Sequence, residues 1–241
     1  MVVIRDENRV ARLRKVSQWV SLAGFLALIT GLVMIFTHTD NPNLFLYQVI
    51  ALSTGWLLSQ VGSYLAHRYV RKPRPDEVLD EAFKKIARDG RLYHHIIPGA
   101  PHVLLQPEGL IVINAKFQVG NISVDENDRW RQTGVGLRKY FGQEGLGNPT
   151  QEVESMVKSL ARYLSKHAPQ VEEVLIAPMI VFTTKDIKSL DLAKSSLPAM
   201  QAHKVRGFLK NKSGGGRLPQ QEYEIIREAL DKAAGDLVTD D

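Results

Sequence analysis

Three histidines close together, His94, His95 and His102, form the most metal-like grouping in the chain of 241 residues. Imidazole nitrogens hold zinc or copper when several of them converge on one point. His94 and His95 are neighbours in a β-like run, where successive side chains point to opposite faces, so convergence of the three is not expected. Asp125-Glu126-Asn127-Asp128 has the acidic density of a calcium loop but lacks EF-hand spacing, and it reads as a solvated turn between strands. Gly134-Val135-Gly136 runs into Leu137-Arg138-Lys139 rather than lying between a strand and a helix, which argues against a phosphate loop. The absence of cysteine excludes thiolate nucleophiles, disulfides and cysteine-bearing zinc sites.

Two basic clusters remain. Arg129, Trp130, Arg131, Arg138 and Lys139 mix cations with an aromatic ring, while Lys204, Arg206, Lys210, Lys212 and Arg217 follow one another with no acid between. Either can contact nucleic-acid phosphates, and the second can equally contact anionic lipid headgroups. The excess charge of the chain lies elsewhere. Residues 1–75 contain Arg5, Arg9, Arg12, Arg14, Lys15, Arg68, Arg71, Lys72 and Arg74 against Asp6, Glu7 and Asp40, so this segment holds +6 of a net +5 and residues 76–241 stand at −1. A near-neutral domain lacks the overall basic bias of a dedicated nucleic-acid binder. Nucleic acid is therefore a possible partner but not the favoured one.

The elements that position these groups begin with two apolar stretches at about 16–37 and 44–66. Each is long enough, at about 1.5 Å per helical residue, to cross a hydrocarbon core of about 30 Å. The first is too long for the apolar part of a signal peptide, and a second span follows at once. Lys and Arg flank the pair on both outer sides and are missing from the loop 38–43, which places both termini and the soluble domain in the cytoplasm; the membrane expected is a prokaryotic plasma membrane. Ala23, Ala27 and Gly31 on one helix, and Gly55, Ser59 and Ser63 on the other, recur every four residues; such small side chains let two helices approach closely in lipid. Trp19, Tyr47 and Tyr64 suit the interfaces. The anchor is taken as residues 1–75 and the soluble domain as residues 76–241.

Within the soluble domain, residues 76–88 read as a helix with Val78, Leu79, Ala82, Phe83 and Ile86 on its apolar face. Short β-like runs follow at 92–97, 102–106, 110–116 and 121–124, with Pro107-Glu108-Gly109 as a tight turn. Asn148-Pro149 starts a long helix to about 167, residues 174–182 form an apolar strand, 204–209 look helical, 213–216 are a break, and 220–234 close as a helix. This order implies an α/β sandwich with no internal repeat.

The run Pro101-His102-Val103-Leu104-Leu105-Gln106-Pro107-Glu108-Gly109-Leu110-Ile111-Val112-Ile113-Asn114-Ala115-Lys116, then Gly120, Trp130 and Asn148-Pro149 with Gln151, resembles the nuclease-related domain NERD over about residues 76–235. The resemblance implies a restriction-endonuclease-like α/β/α domain, so that with the two apolar spans the expected fold is of class α/β, a two-helix transmembrane hairpin followed by that domain. Active members of that kind cut nucleic acid with a divalent metal, held by an aspartate that here corresponds to Pro101 and a glutamate that corresponds to Asn114. Only Lys116 keeps its type, and His102 matches a family histidine expected to be structural. Glu77, Asp80 and Glu81 on the helix at 76–88 can supply one substitute carboxylate, and Lys116 can pair with Glu77 or Glu81 or hold a phosphate without cutting it. With Glu77, Glu81, Pro101, Asn114, Lys116 and Gln151 as vestigial positions, no catalytic residue, metal or cofactor is expected. The reading is a non-catalytic interaction or accessory module whose partners are the bilayer and other membrane subunits. The alternatives are a membrane-tethered nucleic-acid binder and a metal-dependent nuclease.

Overall fold

The computed structural model describes residues 1–37, 42–84, 86, 90–136, 144–171, 174–212 and 216–238. It divides into two compact units: Met1–Glu7, Pro75–Val135 and Leu146–Asp241 in one, Asn8–Arg74 and Gly136–Gly145 in the other.

The smaller unit is built on two long helices, α1 (Glu7–Thr37) and α2 (Pro42–Tyr69). Both are long and apolar enough to cross a membrane, and only 11% and 6% of their most apolar stretches are buried inside the protein. The outward side chains include Trp19, Phe25, Leu26, Phe36, Phe45, Leu46 and Tyr47, a surface that water would penalise and hydrocarbon would not. The helices meet along a seam of small residues. A Cβ on Gly24 would lie 2.9 Å from the Ser59 backbone N, and one on Gly55 2.8 Å from the Leu28 backbone N. Ser17 adds a hydrogen bond from its Oγ to the Gly62 carbonyl, 3.0 Å. Of the residues expected at this seam, Gly31, Gly55 and Ser59 lie in it, whereas Ala23 is exposed and Ala27 half-buried. The buried positions of α1, Val10, Ser17, Gly24 and Gly31, step by seven rather than four, as in left-handed pairs. Near the end of α2 the Arg68 guanidinium pairs with both oxygens of Glu144.

The larger unit is a mixed sheet with helices on both faces. Its strands are β1 (Val2–Arg5), β2 (Arg91–Ile97), β3 (Ala100–Gln106), β4 (Gly109–Lys116), β7 (Ile176–Phe182) and β9 (Ala199–Gln201), in that order across the sheet. β2, β3 and β4 are an antiparallel meander, while β1 joins β2, β7 joins β4 and β9 joins β7 in parallel. A smaller sheet has the order β6 (Trp130–Thr133), β5 (Gly120–Val124), β8 (Ile187–Asp191). Helices α4 (Pro149–His167) and α6 (Gln220–Ala234) cover one face, packing Val153, Leu160, Leu164, Ile226 and Leu230 on Val103, Leu105, Leu110, Val112, Ile180 and Phe182. Helices α3 (Pro75–Phe83) and α5 (Val205–Lys212) cover the other, with Leu79, Phe83 and Val205 against Leu92, Leu104, Ile111, Ile113 and Val181. The alternation of β4, even residues to one face and odd to the other, follows from the two-residue period of a strand.

The expected helices and central strands are present among the described residues, with α3 spanning Pro75–Phe83; residues 85, 87–89 and 213–215, on which the end of the expected helix at 76–88 and most of the expected break at 213–216 fall, lie outside the described residues. The fold adds β1, β6, β8 and β9. Met1–Glu7, taken from sequence as part of the anchor, belongs to the sheet-bearing unit through β1. A run of four residues beside a long helix has too little pattern to be recognised as a strand; its place comes from its pairing with β2.

Candidate functional site

Lys116 ends β4 on the α4 face of the sheet, and its side chain is 4% exposed. Its Nζ donates to both oxygens of Glu152, at 2.9 Å and 2.7 Å. Two residues earlier on the same strand, and so on the same face, the buried Asn114 donates from Nδ2 to Glu152 Oε2 and to the Pro149 carbonyl, both at 3.1 Å.

Glu152 reaches this point because of how α4 starts. Asn148 caps the helix by accepting from the Gln151 N–H at 3.2 Å, and Pro149 takes the first helical position, where its missing N–H costs nothing. Glu152 then lies in the first turn, which favours an acidic group. Gly147, at φ +66°, leaves the space its carboxylate needs: a Cβ there would stand 2.7 Å from Glu152 Oε1. The start of α4 is further held by Trp130, whose indole N–H donates to the buried Thr150 Oγ1 at 2.9 Å. Trp130 also packs at 6.2 Å from the Phe182 ring. These two contacts fix the half-buried ring at the start of α4.

The expected substitutes for the missing carboxylates lie elsewhere. Glu77, Asp80 and Glu81 are on α3, across the sheet from Lys116 and Asn114. Asp80 binds His94 and Arg5, and Lys116 pairs with Glu152, not with Glu77 or Glu81 as anticipated. Pro101 is half-buried in β3 and offers no side-chain donor; Gln151 is exposed. Sequence reasoning passed over Glu152. Its only signal is its place in the first turn of the helix that Gln151 helps to open.

The divalent ion used by active nucleases of this kind does not suit these residues. A hard cation needs several oxygen ligands, commonly including carboxylates. Here one carboxylate faces an ammonium group and an amide N–H, and no group of three or more His, Asp or Glu among the described residues is arranged to hold a metal.

The histidines do converge, contrary to the alternation argument. His94 pairs with His102 across β2 and β3, but the register then shifts so that Ile97 faces Ala100. The extra residue in β2 is a bulge, and His95 sits there at φ +63°. The three ring centroids lie 5.0, 5.2 and 6.4 Å apart. His94 Nδ1 is 2.8 Å from His102 Nδ1, and His94 Nε2 is 2.9 Å from Asp80 Oδ1.

Residues 77–183 match the family model of NERD, the nuclease-related domain. The NERD match runs from α3 through β7 and includes Pro101, Asn114, Lys116, Gln151 and Glu152. No curated protein and no solved structure is significantly similar to the chain.

Of the basic candidates, Arg129, Arg131, Lys204, Arg206 and Lys210 are exposed. Arg138 and Lys139 lie outside the described residues, as does the Lys212 side chain. The stretch Asp125-Glu126-Asn127-Asp128 closes on itself: Asp125 Oδ1 accepts the backbone N–H groups of Asn127 and Arg129, at 2.9 and 3.0 Å. The Arg129 N–H, chief among these effects, holds the Asp125 carboxyl below the usual range.

Proposed function

We propose that the protein is a membrane-anchored, catalytically inactive member of the nuclease-related group that acts as an interaction or accessory module, as a subunit of a membrane assembly. The observation that carries this reading is the Lys116 ammonium bonded to both oxygens of Glu152. In a metal-dependent nuclease the lysine works beside an ion that activates water; here its charge is neutralised within the protein. Pro101 and Asn114 supply no carboxylate.

The arrangement of the chain supports the anchoring. Met1–Glu7, Pro75–Val135 and Leu146–Asp241 share one sheet-bearing unit, so when the two intervening helices span a bilayer both of their outer ends must lie on the same side. The Lys/Arg-rich flanks make that side the cytoplasm.

The test is cleavage of labelled single- and double-stranded DNA and RNA by the full-length protein in mild detergent, with Mg²⁺, Mn²⁺ or chelator. No cleavage is expected from the wild type or from Lys116→Ala. Chelator-sensitive cleavage that disappears in Lys116→Ala overturns the reading. The same preparation identifies co-purifying membrane proteins, and retention of labelled duplex measures the alternative role of the exposed Lys204, Arg206 and Lys210.

A further inference from the structure

A cavity of about 270 Å³ lies beside the Gly109 end of β4, on the face of the sheet that carries α3 and α5. Its origin is the size of one side chain. Ile111 and Ala177 are register partners on β4 and β7. Two residues further along β7, on the same face, Met179 fills its place in the core with a long side chain, where Ala177 has only a methyl group. Ile86, which follows α3, and Leu209 on α5 form the walls. Leu175 lines the cavity as well and is 71% exposed; among the described residues of the sheet-bearing unit, only Val2 and Val3 are other large apolar side chains left so open to water. The volume is near the lower bound of about 300 Å³ for small-molecule sites, and it has room for about nine groups the size of water or a methylene at about 30 Å³ each. An interior that is apolar in this way takes hydrocarbon.

The mouth carries charge, and most of it has one sign. On α5, Arg206 and Lys210 lie about 60° and 100° round the helix from Leu209, on its solvent side, and both are exposed. The chain then returns to the cavity, because the Leu218 N–H donates to the Pro107 carbonyl at 2.8 Å, in the turn that leads into Glu108 and Gly109. The residue before Leu218 is the exposed Arg217. The sequence from Lys204 to Arg217 holds no acidic residue. Against these three cations the lining sets one acid, the exposed Glu108.

We propose that this cavity binds the alkyl chain of a fatty carboxylate of medium length, with Arg206, Lys210 and Arg217 attracting the carboxylate head at the mouth. The apolar interior sets the chain, and the excess of positive charge selects the head over an alcohol or an ammonium group. The site lies across the sheet from Lys116 and Glu152, so it goes beyond the accessory reading and stands independently of it.

Equilibrium dialysis of labelled octanoate, decanoate and decanol against the full-length protein in nanodiscs, with empty nanodiscs as the blank, measures occupancy at known free ligand. One site per chain is expected. Decanoate should bind about fifteenfold more tightly than octanoate, since each buried methylene contributes about fourfold. It should bind about tenfold more tightly than decanol, which lacks the charge. Ala177→Met, which places a second long side chain beside Met179, is expected to abolish binding while the circular dichroism stays unchanged. Arg206→Glu combined with Lys210→Glu, both at exposed positions, is expected to lower decanoate affinity to that of decanol. No saturable uptake above the blank, decanol bound as tightly as decanoate, or unchanged decanoate affinity in the charge-reversed variant overturns the proposal. Unchanged affinity in a folded Ala177→Met does so too, and if that variant does not fold the charge-reversed variant decides alone.

Discussion

Replacing Glu152 by Ala leaves the Lys116 ammonium, whose side chain is 4% exposed, without its counter-charge. Breaking a fully buried pair in this way costs about 3–5 kcal/mol. Glu152 itself is 38% exposed, so solvent screens the pair, and about 2 kcal/mol is the expected loss. Asn114 retains its bond to the Pro149 carbonyl, which keeps that amide from adding a full penalty. For a domain of this size about 2 kcal/mol corresponds to a fall in unfolding temperature of about 4–8 °C. Lys116→Met should cost less, about 1 kcal/mol, because the carboxylate left behind can turn to water. The double variant should then be more stable than the sum of the single effects implies, by about 1–2 kcal/mol. The assay is thermal unfolding of the full-length protein in detergent, followed by near-ultraviolet circular dichroism, for wild type, both single variants and the double. A carboxylate kept for catalysis behaves in the opposite way: its removal abolishes activity and commonly raises stability, since active sites hold groups in strain. A Glu152→Ala variant that unfolds at or above the wild-type temperature refutes the structural account of the pair.

Three further outcomes follow from other parts of the molecule. Asp231 accepts from Arg91 and Tyr93, both at 2.6 Å, and burial, then the Asp231 hydrogen bond, pushes the Tyr93 hydroxyl up; Tyr93→Phe should cost about 1–2 kcal/mol, read in the same unfolding assay, and show no new transition at alkaline pH. Gly55→Val places a branched side chain where even a Cβ lies 2.8 Å from the Leu28 backbone N, so the full-length protein should unfold in detergent at a lower temperature than the wild type. An impermeant thiol reagent applied to intact cells should label Asn41→Cys and spare Ser213→Cys; the reverse pattern contradicts a cytoplasmic domain.

Much of this was legible in residue order alone, because the signals were periodic or compositional. Two uncharged apolar runs specify hairpin helices without reference to anything else. The dense β-branched and leucine pattern of residues 103–113 requires a strand meander buried on both faces. Asn148, Pro149 and Gln151 mark a helix start through local hydrogen bonding. That positions 101 and 114 hold a proline and an asparagine rather than carboxylates is likewise a fact of sequence. What tertiary structure alone decided is which side chains meet across distance. Glu152 faces Lys116 because α4 lies over the face on which the even residues of β4 emerge, whereas α3 carries Glu77 and Glu81 on the other face. His95 joins His94 and His102 because a bulge breaks the two-residue alternation on which the opposite expectation rested. Residues 2–5 become a strand because β2 offers a free edge. In each case local propensity was weak or misleading, and pairing between segments far apart in the chain determined the outcome.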